Sequence, residues 1–175
     1  MEPPILLTPR LTLRPLQPED APQLLTLRSN EEVNQYLNRP PTTTLQQAQA
    51  FIKNIQTQTQ DTQRYYWAIT LKTNPDTLIG AICLFNITQK NKTAELGYEL
   101  LPTHHGKGYM TEAIQTVIPF AFNTLHLTTI TAFPHPNNLK SINLLQKLNF
   151  QIDQTHQFTQ EADTDESTPY YLKHV

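Results

Sequence analysis

The stretch Thr93-Ala94-Glu95-Leu96-Gly97-Tyr98-Glu99-Leu100-Leu101, followed three residues later by His105-Gly106-Lys107-Gly108-Tyr109-Met110, decides how the chain is read. Ala94, Leu96, Tyr98 and Leu100 alternate with Glu95, Gly97 and Glu99, which is the period of a strand with two unlike faces. Two of the four glycines in the whole chain, Gly106 and Gly108, then flank one lysine. Met110, Ala113, Ile114, Val117, Ile118, Ala121 and Phe122 follow at helical spacing and predict a long helix, which Pro119 should kink. A glycine turn opening a helix presents N–H groups that lack intrahelical acceptors at the positive end of the helix dipole, and such an end binds phosphate. Glycine also lets oxygen atoms approach the backbone and permits positive φ. The spacing is neither GxxxxGK[ST] nor a three-glycine dinucleotide fingerprint, and a glycine pair alone equally suits a turn chosen for shape.

Working outward, Leu11, Leu13 and Leu16 predict a half-buried first strand. A helix follows, with Glu19 and Asp20 in its first turn and Ala21, Leu24 and Leu25 on one face. Asn38-Arg39-Pro40-Pro41 breaks the chain. Thr44-Leu45-Gln46-Gln47 has the form of a capping box, and Ala48, Phe51, Ile52 and Ile55 behind it mark a second helix. Strands are predicted over 65–71 and 77–87, separated by the turn signal Thr73-Asn74-Pro75-Asp76. The second is apolar at both parities, as in a strand covered on both faces. A short strand over 128–132 precedes a helix capped by Asn138 and carrying Ile142, Leu144, Leu145 and Leu148, with Asn149 at the left-handed end position. Two last strands, around 150–158 and 170–173, flank a polar acidic loop over 160–167.

The order β-α-α-β-β-β-α-β-α-β-β predicts a mixed α/β (α+β) fold. Its central sheet is mostly antiparallel, of about six to seven strands, with helices on both faces. A chain of 175 residues fits one domain over 1–175. The formal charge of −2 gives no broad positive field, so nucleic acid is not an expected partner. Cys83 is the single cysteine, which excludes an internal disulfide and a thiolate cluster. No apolar run is long enough to span a membrane and no leader pattern opens the chain, so a soluble cytoplasmic protein is expected. Oligomeric state is not readable.

The run Ala94-Glu95-Leu96-Gly97-Tyr98 with Gly106-Lys107-Gly108-Tyr109-Met110-Thr111-Glu112-Ala113 resembles the acetyl-CoA motif of the GNAT superfamily, particularly its Rim-type ribosomal-protein acetyltransferases. Asn138-Leu139-Lys140-Ser141, closed by Leu148-Asn149-Phe150, is similar to that branch's second motif, and residues 7–15 to its first strand. The resemblance implies a GNAT-like fold and an N-acetyltransferase that takes its acetyl group from acetyl-CoA. It also implies that backbone amides of His105, Gly106, Lys107, Gly108, Tyr109 and Met110 hold the diphosphate, with a hydroxyl from Thr111. Leu100 and Leu101 offer backbone groups to the pantetheine arm, and Asn138 and Ser141 lie near the arm and the sulfur. His105 and Met110 depart from the Gln or Arg and the Gly or Ala common at those positions.

For catalysis, an amine must lose a proton before attacking a thioester, and the departing thiolate must be protonated or solvated. Glu95 is the candidate base, with Glu99 on the same face as competitor and a solvated strand residue as the other reading. Where many superfamily members place an acidic tyrosine, this chain has Leu145. Ser141 is the nearest replacement as a donor to sulfur, though a helix-surface serine reads the same way. The acceptor is a primary amine, either a protein N-terminus or a small molecule, and the acidic run at 161–166 suits either a cationic acceptor or plain solvation. A non-catalytic acyl-CoA-binding module is the alternative from another class. Histidines 104, 105, 126 and 135 lack ligand spacing, so no metal is expected.

Overall fold

The computed structural model describes residues 2–60, 64–154 and 169–174. Among the described residues eight strands form one sheet in the order β1-β2-β3-β4-β5-β6-β8-β7. They are β1 (Leu6–Leu7), β2 (Leu11–Pro15), β3 (Tyr65–Leu71), β4 (Asn74–Thr88), β5 (Thr93–Leu100), β6 (Thr129–Ala132), β7 (Gln151–Ile152) and β8 (Tyr170–Lys173). Every neighbouring pair is antiparallel except β5 and β6. The strand beyond the expected seven is β1, whose two residues are too few to show a period. β4 begins at Asn74, so the hairpin reverses at Lys72–Thr73 and not across 73–76. Of the strand expected over 150–158, only Gln151–Ile152 forms within the described residues, and the acidic loop lies outside them.

Among the described residues there are five α-helices, α1 (Ala21–Ser29), α2 (Glu31–Asn34), α3 (Leu45–Gln60), α4 (Tyr109–Pro119) and α5 (Leu139–Lys147), of which the short α2 lies against α1. On one face Leu24 and Leu27 of α1 and Ala48, Ile52 and Ile55 of α3 bury against Tyr66, Ala68 and Ala81. On the other, Ala113, Ile114 and Val117 of α4 and Leu145 of α5 bury against Leu13, Trp67, Ile82 and Leu96. Each Leu or Ile fully removed from water contributes about 2 kcal/mol. Burial on both faces, expected of β4, holds for β3 as well, where residues 65–70 are all buried. Cys83 is half-buried among these groups, and burial pushes its thiol up to about 12.

Local signals explain most helix starts. Thr44 and Gln47 exchange the two bonds of a capping box, each at 3.2 Å. Asn138 accepts the Ser141 amide at 3.1 Å, and Asn149 takes φ 64° after α5. Leu27, not Leu25, completes the buried face of α1. Pro119 is the last residue of α4. Its missing N–H removes one α-type bond, and the chain widens into a π turn, Phe120–Thr124, closed by Leu125 N–H on the Phe120 carbonyl at 3.1 Å.

Glu19 and Asp20 occupy a 3-10 turn, Pro18–Asp20, ahead of α1 instead of its first turn. Asp20 points inward: its carboxylate takes both Arg14 terminal nitrogens at 2.7 Å and the Gln17 amide at 2.8 Å, with only 2% of the residue exposed. Asp20→Ala leaves the half-buried Arg14 guanidinium without its paired carboxylate. The expected loss is about 3 kcal/mol of unfolding free energy, read from urea denaturation.

Candidate active site

The site is organised by a separation of two strands. β5 pairs with β6 only at Thr93, Ala94 and Glu95, opposite Thr129, Ile130 and Thr131. β5 continues five residues further while β6 stops at Ala132, so a wedge opens between them. The Leu101 amide donates to the Ile79 carbonyl on the β4 side at 2.9 Å. By strand alternation the backbone groups of Tyr98 and Leu100 therefore point the opposite way, into the wedge. The Leu100 carbonyl accepts from His105 Nε2 at 2.8 Å.

Beyond Leu101 a 3-10 turn, Pro102–His104, leads to the glycines. Gly106 has φ 74° and Gly108 φ 78°, both left-handed, where a side chain would be strained. Gly108 is the N-cap of α4, and the first helical bond runs from Glu112 N–H to the Gly108 carbonyl at 3.1 Å. The amides of Tyr109, Met110 and Thr111 thus have no acceptor one turn back, and they stand at the positive end of the helix dipole. Met110 buries its side chain in the core, which leaves only its backbone for a ligand. The Lys107 ammonium folds back onto the Thr103 carbonyl at 2.9 Å. His104 lies beside it, its ring held below the usual histidine value by burial and then by the Lys107 charge.

Across the wedge, the Ser141 hydroxyl on α5 lies 2.6 Å from the Tyr98 hydroxyl on β5. Burial pushes the Tyr98 phenol up to about 12, so it stays protonated and can donate to Ser141. Asn138 has its side-chain oxygen on the Ser141 amide and so fixes the first turn of α5. Glu95 sits where the β5–β6 ladder ends, with a carboxylate oxygen 3.0 Å from the Asn86 amide nitrogen. Glu99, the competing carboxylate, is 9% exposed and heavily engaged. It pairs with Arg39, lies 3.7 Å from Arg28 and accepts the Tyr66 hydroxyl at 3.1 Å. Burial, and then the Glu99 charge, raise the Tyr66 phenol well above its ordinary value, so it remains a donor.

α2 bridges to both later motifs. Glu32 reaches Lys140 at 3.2 Å and lies 3.8 Å from His105 Nδ1, and Tyr36 stacks on His135. Sequence reasoning missed Tyr98, Arg28, Arg39 and the partners of the glycine turn, Thr8, Arg10 and Glu112. Tyr98 carried one available signal, a phenol within the strand that feeds the turn. The others are joined only by the fold. Among the described residues no three histidine, cysteine or acidic side chains gather as a metal site, and no helix is long and apolar enough to cross a membrane.

The family model of the acetyltransferase (GNAT) domain matches residues 10–151 of this chain. The chain is similar to the uncharacterized N-acetyltransferase p20 of Bacillus licheniformis, 42% identical over 147 residues that cover 83% of this chain and 82% of that protein. A shorter stretch is similar to the ribosomal-protein-serine acetyltransferase of Escherichia coli (strain K12), 41% identical over 56 residues, 32% of this chain and 31% of the other. In fold, the chain is similar to the crystal structure of the ribosomal-protein-S5-alanine acetyltransferase from Vibrio fischeri, with TM-score 0.82 and 19% identity over 97% and 96% of the two chains.

The Glu99 cluster yields a direct test. Glu99→Ala leaves two arginines facing each other and the Tyr66 hydroxyl without its acceptor. Urea denaturation should show a loss of about 3 kcal/mol, against about 1 kcal/mol for Tyr66→Phe, which removes one hydrogen bond.

Proposed function

The chain belongs to the acetyltransferase (GNAT) domain family and is an N-acetyltransferase that takes its acetyl group from acetyl-CoA. From that premise we propose that residues 105–111 hold the diphosphate of this donor and that the nitrogen acetylated is the α-amine of a protein N-terminus. The observation that carries the first part is the pair of left-handed glycines immediately before the first helical bond of α4. Two such residues turn successive amides toward one side, and an oxyanion is the ligand that suits them. The short likeness to the ribosomal-protein-serine acetyltransferase supports the second part. Because both hydrophobic clusters rest on one sheet, the unit of activity is a single domain over 1–175.

The reaction asks three things of the protein. Glu95 accepts the proton of the incoming ammonium, directly or through water, so that the nitrogen lone pair can attack the thioester carbon. The wedge beside Tyr98 and Leu100 aligns the pantetheine arm along the open edge of β5, with the Leu100 amide beside it and Thr111 adding a hydroxyl at the diphosphate; Leu101, expected to share that task, gives its amide to the Ile79 carbonyl and its carbonyl to the His104 amide instead. As the carbon–sulfur bond breaks, Ser141 donates a hydrogen bond to the sulfur while Tyr98 donates to Ser141. Asn138 contributes by capping α5, which keeps Ser141 in place. Glu99 takes no part as a base, because two arginines and a phenol already occupy its oxygens.

At saturating acetyl-CoA, Glu95→Gln should lower kcat about 100-fold, the ordinary worth of a positioned base, and an unchanged rate removes Glu95 from the mechanism. Ser141→Ala should lower kcat about tenfold with KM for acetyl-CoA unchanged, as for one hydrogen bond made to the leaving group. For the acceptor, thiol release should appear with peptides bearing a free N-terminus and vanish with their Nα-acetylated forms. Release with small amines alone overturns the protein-acceptor reading.

A further inference from the structure

The glycine turn is braced from behind by a residue near the start of the chain. Arg10, at the start of the segment that becomes β2, places Nη1 2.9 Å from the Lys107 carbonyl and Nε 2.7 Å from a Glu112 carboxylate oxygen. Its own backbone amide donates to the second Glu112 oxygen at 2.8 Å, and the Thr8 hydroxyl donates to that oxygen too. The guanidinium lies over the Tyr109 ring, 4.6 Å from its centre. A Cβ built on Gly108 would stand 3.4 Å from Arg10 Nη2, so the arginine packs directly behind the second glycine.

The consequence follows from peptide geometry. In a planar trans peptide the carbonyl and the N–H point in opposite directions. Holding the Lys107 carbonyl on Arg10 therefore turns the Gly108 N–H to the opposite side, away from the arginine. Glu112 needs the same brace, since a carboxylate in the first turn of α4 would otherwise repel an anion bound there. Burial works against its charge, but the Thr8 hydroxyl and the Arg10 amide and guanidinium outweigh burial and hold the carboxyl below its ordinary value. A fixed, neutralised Glu112 leaves the dipole of α4 available to the ligand.

We propose that Arg10 is a positioning residue of the donor site: it fixes the Lys107–Gly108 peptide and neutralises Glu112, so that the turn is shaped for a diphosphate before one arrives. This rests on the reading of residues 105–111 as the diphosphate site. A fork that bonds a carbonyl and a carboxylate at once needs the planar guanidinium, and a lysine carries the charge without the fork.

Binding of CoA and of pantetheine, which lacks the diphosphate, separates the possibilities when both are titrated by ligand-observed NMR on the folded chain. The unsubstituted protein should prefer CoA; equal affinity for the two overturns the diphosphate reading itself, and this inference with it. Arg10→Met should weaken CoA about tenfold, the effect of one hydrogen bond of about 1.4 kcal/mol, with the loss confined to CoA. Arg10→Lys should weaken CoA to a similar degree and serves also if Arg10→Met does not fold. Arg10→Lys binding CoA as well as the unsubstituted protein reduces the role to charge and overturns positioning. Equal loss for CoA and pantetheine in either variant, or no loss at all, overturns it too.

Discussion

Three residues of parallel pairing between β5 and β6 are the constraint on which the rest of this molecule depends. A parallel pair requires a crossover, and here the crossover is the glycine turn with α4, so the strand that lines the wedge delivers the chain into that turn. Because the ladder stops at Glu95, the open edge of β5 lies between that turn and α5. A longer ladder would close the wedge and engage the backbone of Tyr98 and Leu100. The wedge is therefore a place where the sheet is left incomplete, while antiparallel pairing on either side supplies the rigidity.

Arginine–carboxylate pairs connect that frame to its surroundings. Arg14 and Asp20 fasten the entry to α1, Arg28 in the last turn of α1 and Arg39 in the segment before α3 fasten those elements to β5 through Glu99, and Arg10 fastens the glycine turn to the start of β2 through Glu112. Each carboxylate accepts at least one further hydrogen bond, which a partly buried charge requires. Glu95 differs in kind. It sits at the end of the parallel ladder and accepts a hydrogen bond from the Asn86 side-chain amide at 3.0 Å.

Much of this was legible where the signal was local. Capping at Thr44 and Asn138, the end of α5 at Asn149, the two faces of β5 and the glycine turn all depend on residues within a few positions of one another, and those spacings are written in the chain. The π turn after Pro119 was legible only in part: proline announces a broken bond, while its resolution depends on how Phe120 and Phe122 pack. What sequence could not show is what the fold alone brings together. Asp20 reads as a helix-start carboxylate until Arg14 is seen beside it, and Glu99 reads as an alternative base until Arg39 and Tyr66 occupy it. β1 and α2 are too short to display a period at all.

Arg10 and Lys107 are 97 positions apart, and Arg10 and Glu112 are 102. Closing a loop of that size costs more chain entropy than any neighbouring hairpin does, and contacts of such separation slow folding. The turn can hold its final shape only after the first strand has joined a sheet whose remaining members lie far along the chain. The shape of the glycine turn thus becomes a readout of finished assembly, since it waits on every strand that must be in place between Arg10 and Lys107.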